Sequence, residues 1–119
     1  MKISTQVLDC TYGQSAVGVH ARLERSSGAG WTTVAEAVTN GGGYIEDWKG
    51  GWHFERGLYR IVFDSDSYFA GLGTSTAYPE VVVIFRMPDA SRTFQVRVML
   101  SPYSYSTFFG TLDTQAGES

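Results

Sequence analysis

A chain of 119 residues with a formal charge of −3 is the size of one domain, able to bury roughly two-thirds of the surface its unfolded form would expose. It has no basic excess to mark a nucleic-acid or anionic-membrane surface, and its single cysteine, Cys10, excludes an internal disulfide and suits a reducing compartment. The opening Met1-Lys2-Ile3-Ser4-Thr5-Gln6 alternates polar and apolar residues, unlike a signal-peptide core or a membrane span, so a soluble cytoplasmic protein is expected.

Ile3 to Asp9 alternates as a strand, with Ile3, Thr5 and Val7 on one face and Ser4, Gln6 and Leu8 on the other. Asp9 to Gln14 is turn material. Val17 to Arg25 alternates again, Val17, Val19, Ala21 and Leu23 facing one way and Gly18, His20, Arg22 and Glu24 the other, which predicts a half-buried antiparallel strand. Ser26 to Gly30 reverses the chain into a third strand, Trp31 to Thr39. Asn40-Gly41-Gly42-Gly43 then supplies the positive-φ positions of a tight reversal. Tyr44 to Phe54 shows no clean period. In it Trp48 and Trp52 flank Lys49-Gly50-Gly51, either packing in the core or rimming an entrance or a subunit contact.

Gly57 to Asp64 reads as a strong strand. Ser65 to Leu72 has the pattern of a short helix, capped by Ser65 or Asp66, with Tyr68, Phe69 and Leu72 packing inward. Pro79 to Arg86, Thr93 to Leu100 and Tyr103 to Phe109 are three more strands, with a turn at Pro88-Asp89. Seven or eight short strands and one helix predict an antiparallel β-sandwich over residues 1–111. The polar stretch 112–119 is expected to be a flexible tail, or to lie across the mouth of a channel.

Residues that often carry chemistry find ordinary explanations here. His20 lies on the polar face of its strand and is expected to be solvated, and His53 is expected in a loop or partly buried. Two histidines and one cysteine, widely separated, make no zinc site. Cys10 has no histidine partner to activate it. Gly41 to Gly43 lacks the strand–helix context of a phosphate loop. No metal and no cofactor is expected.

The ordered motifs say more. Val7-Leu8-Asp9 with Gly13 and Ala16-x-Gly18-Val19, Tyr59-Arg60-Ile61-Val62-Phe63-Asp64 with Tyr68-Phe69, Tyr78-Pro79-Glu80-Val81 and Leu100-Ser101-Pro102-Tyr103-Ser104-Tyr105-Ser106-Thr107 follow one another along the chain. Together they resemble the 5-hydroxyisourate hydrolases, the transthyretin-related family. That family opens V-L-D-x-x-x-G-x-P-A-x-x-V, carries Y-R-x-x-F-D and F-Y-P-E-V, and ends L-S-P-x-x-Y-S-T-Y-R-G-S. The resemblance implies a transthyretin-like (prealbumin-like) sandwich of two four-stranded sheets with one short helix. It also implies a homotetramer of two-fold symmetry, with small-molecule sites in the inter-subunit channel where two dimers meet.

The same resemblance implies that the family's chemistry has been replaced. Its first-strand histidine falls on Gln6, its arginine after the turn on Tyr44, its second histidine on Gln95 and the following proline on Arg97. The closing Y-R-G-S falls on Phe108, Phe109, Gly110 and Thr111. A glutamine orients a water but cannot take its proton at neutral pH, and an aromatic ring is no substitute for a guanidinium as an anion clamp. Hydroxyisourate hydrolysis is therefore not expected. The reading preferred from sequence is a cofactor-free enzyme of the cyclase, isomerase or pericyclase type, in secondary metabolism, acting on a hydrophobic substrate by shape and hydrogen bonding. Gln6, Gln95, Tyr44 and Arg97 would be its catalytic residues, and Ser4, Phe108, Phe109 and Thr111 would line one cavity with them. A non-catalytic carrier or structural protein is the alternative, and residual hydrolysis the third.

Overall fold

The structure is a computed structural model that describes residues 2–46, 48, 55–88 and 93–111. Its elements are β1 (Lys2–Asp9), β2 (Gln14–Ser15), β3 (His20–Ser27), β4 (Gly30–Val38), β5 (Tyr44–Ile45), β6 (Gly57–Phe63), α1 (Ser65–Ala70), β7 (Val81–Met87), β8 (Thr93–Ser101) and β9 (Ser104–Thr111). They form two sheets. The first runs β2-β1-β8-β9, with β5 also paired to β1, and the second runs β4-β3-β6-β7. The expected β-sandwich with one short helix is the observed architecture.

Pleating explains which residues meet between the sheets. Ile3, Val7, Val96, Val98 and Leu100 point inward from the first sheet, and Leu23, Ile61, Phe63 and Val81 from the second; all are essentially fully buried. Each such side chain contributes about 1.5–3 kcal/mol over leaving it exposed. One pairing departs from the antiparallel expectation. β1 and β8 run parallel over eight residue pairs, from Lys2 opposite Thr93 to Asp9 opposite Leu100. The chain crosses to the second sheet and returns before β8, so no hairpin fixes the relative direction of these two strands.

The local expectations need three corrections. β3 begins at His20, not Val17, because Gly18 takes φ +82° and Val17 is 53% exposed. The helix is capped by Asp64, whose Oδ1 accepts from the Ser67 N–H at 3.0 Å, while the Ser65 hydroxyl donates to the Tyr78 carbonyl at 2.6 Å. Phe69 packs inward as expected, but Leu72 lies past the helix end and is exposed. Trp48 is buried, whereas the expectations for Trp52, His53 and the tail 112–119 fall outside the described residues.

Polar contacts at Asp9 and Val7 tie β1 to its surroundings. At its C-terminal end, buried Asp9 accepts from the N–H groups of Thr11 and Tyr12 and from the Tyr68 hydroxyl of α1 at 2.7 Å. Burial, then the carboxylate of Asp9, pushes the Tyr68 phenol up to about 12. Along its edge, Val7 donates to the Gly43 carbonyl at 2.8 Å. Gly43 takes φ +79°, and a Cβ there would stand 2.4 Å from the Val7 carbonyl oxygen. Asn40 completes the turn, its Oδ1 accepting from the N–H groups of Gly42 and Tyr44.

The outer face of the second sheet carries a charge cluster. Glu24, at a register shift in the β3–β4 ladder, accepts from Arg60 at 2.6 Å, Arg22 at 3.0 Å and Thr33 at 3.0 Å, and the Arg60 guanidinium lies 4.4 Å from the Trp31 ring centre. Burial alone would raise the Glu24 carboxyl, but the hydrogen bonds from Arg60, Arg22 and Thr33 outweigh it and hold it below the ordinary carboxylate value.

Two predictions follow from these contacts. Gly43→Ala forces both a strained φ and a clash with backbone, so it is expected to lose about 1–3 kcal/mol of unfolding free energy in urea titrations. Glu24 binds its proton less readily folded than unfolded, so its contribution is present above the unfolded value and is lost as pH falls through the folded one. Glu24→Gln should therefore be destabilising at neutral pH, and its stability should fall less steeply than wild type between about pH 5 and pH 3.

Candidate functional site

The outward face of the first sheet collects most of the residues singled out from sequence. β5 brings Tyr44 opposite Gln6, the parallel ladder brings Gln6 opposite Arg97, and the β8–β9 hairpin brings Arg97 opposite Phe108. One rung thus reads Tyr44–Gln6–Arg97–Phe108 across four strands. The next rung on the same face is Ser4–Gln95–Gly110, and the one on the other side is Leu8–Met99–Ser106. Gln6 and Arg97 are half-buried, Gln95 is buried, and Phe108 is exposed.

Arg97 dominates the electrostatics of this face. Its Nη2 donates to Gln95 Oε1 at 3.3 Å, and its guanidinium carbon lies 6.0 Å from the centre of the Phe108 ring. Its Nε is buried and has no acceptor among the described residues. Among the described residues no carboxylate pairs with it, in contrast to Arg22, Arg25 and Arg60 on the second sheet, each of which meets a glutamate. The face therefore presents a cation, two primary amides, hydroxyls and two aromatic rings, those of Tyr44 and Phe108. Its described rungs carry no histidine, cysteine or carboxylate.

Phe109 and Thr111 do not belong to this set. Side chains alternate along β9, so Phe109, opposite Val96, faces the interior side, its ring centre 5.3 Å from those of Phe94 and Phe85. Thr111, opposite Phe94, faces the same way as Phe109. The expected cavity walled by both phenylalanines is therefore replaced by an open wall bearing only Phe108. Adjacent residues of a strand cannot line the same face, and that period-two signal was already in the sequence. Met99 and Ser106 are residues of the face beyond those named from sequence, and the same alternation along β8 and β9 points to them; Leu8, already placed on the face of Ser4 and Gln6, and Gly110 complete it.

The expectation for His20 agrees with the geometry. His20 is exposed on the outer face of the second sheet, far from these rungs in the strand order. It borders an open groove of about 610 Å³ lined also by Glu36, Val38, Glu46 and Tyr44, the last of which it shares with the first rung. Among the described residues no group of histidine, cysteine and carboxylate side chains converges to hold a metal, and no helix is long and apolar enough to cross a membrane.

Comparison with known proteins gives the lineage. The HIUase/Transthyretin family profile matches residues 3–110. The chain belongs to this family. It is similar to the 5-hydroxyisourate hydrolase of Salmonella typhi, at 32% identity over 92% of this chain and 80% of that one. It is similar to the mouse (Mus musculus) 5-hydroxyisourate hydrolase at 31% identity, over 92% and 94% of the two chains. Sea bream transthyretin, solved in complex with thyroxine, superimposes with a TM-score of 0.86 at 27% identity, covering 93% of this chain and 96% of that one.

The split between Phe108 and Phe109 has a measurable consequence. Phe109→Ala removes ring contacts with Phe85 and Phe94 at a partly exposed site and should cost about 1–3 kcal/mol. Phe108→Ala should stay within about 0.5 kcal/mol of wild type. Urea denaturation of the two single variants makes the comparison; equal losses would contradict the assigned faces.

Proposed function

We propose that this chain binds a small, planar, anionic molecule across the rung Tyr44–Gln6–Arg97–Phe108, as a ligand-binding member of its family that lacks a side-chain base. The observation that carries this reading is Arg97. A half-buried guanidinium with one buried N–H unaccepted and no carboxylate partner among the described residues is a donor waiting for an acceptor. Gln95 holds it in place, and Phe108 lies beside it. A ring system bearing an acidic group would satisfy the guanidinium, hydrogen-bond to the amides of Gln6 and Gln95, and stack on an aromatic ring. Hydroxyisourate and thyroxine, the compounds in the relatives' names, both combine rings with an acidic group. In a single chain the face is one wall only, so the ligand would be enclosed by a second copy facing it, in a two-fold oligomer.

Turnover of 5-hydroxyisourate is the second reading, favoured by the curated relatives at about 30% identity, which are named as its hydrolases. In that case Gln6 would orient the water and Arg97 would stabilise the developing oxyanion, with proton transfer left to solvent. The cyclase or isomerase reading draws no support from the relatives. It also loses one of the two rings that were to fold its substrate, since Phe109 packs against Phe94 and Phe85.

Two measurements on the purified protein separate the readings. Decay of freshly generated 5-hydroxyisourate, followed by absorbance, is expected to match the spontaneous rate. Urate, a non-hydrolysable planar anion, is expected to bind saturably by calorimetry, and Arg97→Met should weaken it by roughly ten- to a hundredfold. An acceleration of decay that Gln6→Ala abolishes would instead establish the hydrolase. Binding unaffected by Arg97→Met would defeat the anion-site reading.

A further inference from the structure

Gly110 faces outward opposite Gln95, and Phe108, two residues earlier on β9, faces the same way. The phenylalanine ring lies over the glycine. A Cβ placed at Gly110 would stand 2.6 Å from Phe108 Cζ and 2.8 Å from Cε1, well inside the roughly 3.5–4.0 Å of ordinary carbon contacts. The ring therefore occupies the space that any side chain at position 110 would take. It is still 53% exposed, so one of its faces remains open to the outside.

This arrangement determines how the ring can serve the face. With its far end over Gly110 and its centre 6.0 Å from the Arg97 guanidinium carbon, the ring adds an aromatic surface next to Gln95 and Arg97. Lifted off the strand, the same ring would stand in the space above the floor that a flat ligand needs. Gly110 has no positive φ, so an alanine there meets no backbone strain, and the atoms it would strike are the far end of a flexible side chain. Substitution at position 110 thus moves the ring without breaking the fold.

We propose that Gly110 is a positioning residue: its missing Cβ lets the Phe108 ring settle over the strand as a stacking platform beside Arg97. The proposal rests on the reading of this face as an anion site, and its test keeps the two apart. The position of the ring is read without any ligand, from the Hα resonances of Gly110 in the full-length protein. They should be displaced upfield by the ring above them and return to ordinary values in Phe108→Leu. Binding is read by fluorescence titration with anilinonaphthalene sulfonate, a planar aromatic anion. Gly110→Ala should weaken the dye by roughly three- to tenfold, the loss of one stacked ring. In a Phe108→Leu background the same substitution should change nothing.

Undisplaced Gly110 resonances overturn the proposal. So does a Gly110→Ala variant that binds the dye as wild type does, or one that loses as much affinity without Phe108 as with it. A wild-type protein that binds the dye no better than Arg97→Met overturns the anion-site reading and this proposal with it, whatever the glycine resonances show.

Discussion

Eight consecutive rungs join β1 to β8, and because they run parallel, every side chain of one strand keeps a fixed neighbour on the other. Thr5 beside Val96 and Val7 beside Val98 are sealed into the core, and so Ser4 beside Gln95 and Gln6 beside Arg97 point to the opposite face. The pairing has no freedom to slip. A one-residue shift of β1 would put Gln6 into the apolar interior and Val7 into water, and a shift of β8 would do the same to Arg97 and Val98. The Asp9–Tyr68 bond at one end and the Gly43–Val7 contact along the edge hold that register. The outward face is the obligatory reverse side of the core.

Pattern in the sequence carried the composition of that face further than its boundaries. Alternation alone put Ser4 with Gln6 and Gln95 with Arg97, and the ladder places the two pairs side by side. Tyr44 entered only through family resemblance, because a two-residue strand leaves no periodic trace. Phe109 was misplaced because the closing tetrad was treated as a unit, against the alternation of its own strand. The parallel direction of β1 and β8 could not be read at all, since a period of two carries no information about polarity. Nor could the burial of Glu24: it sits at an outward position, and what covers it arrives from β4 and β6 and from its own strand neighbour Arg22.

The two outer faces of the sandwich treat charge in opposite ways. On the second sheet, Glu24 is bracketed by Arg22 and Arg60, and Arg60 is further stacked over Trp31. Those charges are mutually satisfied and contribute to the fold. On the first sheet, Arg97 is held by a neutral amide and a ring, which orient it without cancelling its charge. The contrast separates a face whose charges pair with one another from one whose cation, Arg97, has no carboxylate partner among the described residues.

The far edge of β1 has a further meaning for how the molecule meets others of its kind. That edge is already occupied, by short irregular pieces: β5 takes Thr5 and Gln6, β2 takes Leu8 and Asp9, and Gly43 and Ala16 take the N–H and carbonyl of Val7. None of them is long enough to present a template for an incoming strand. β9 at the opposite edge is eight residues of regular strand with no partner beyond it in the described sheet. The first sheet can therefore grow in one direction only. Pairing of two copies at β9 would use up that strand and leave the first sheet no comparable edge to extend from, whereas the outer strands of the second sheet, β4 and β7, are edges of their own.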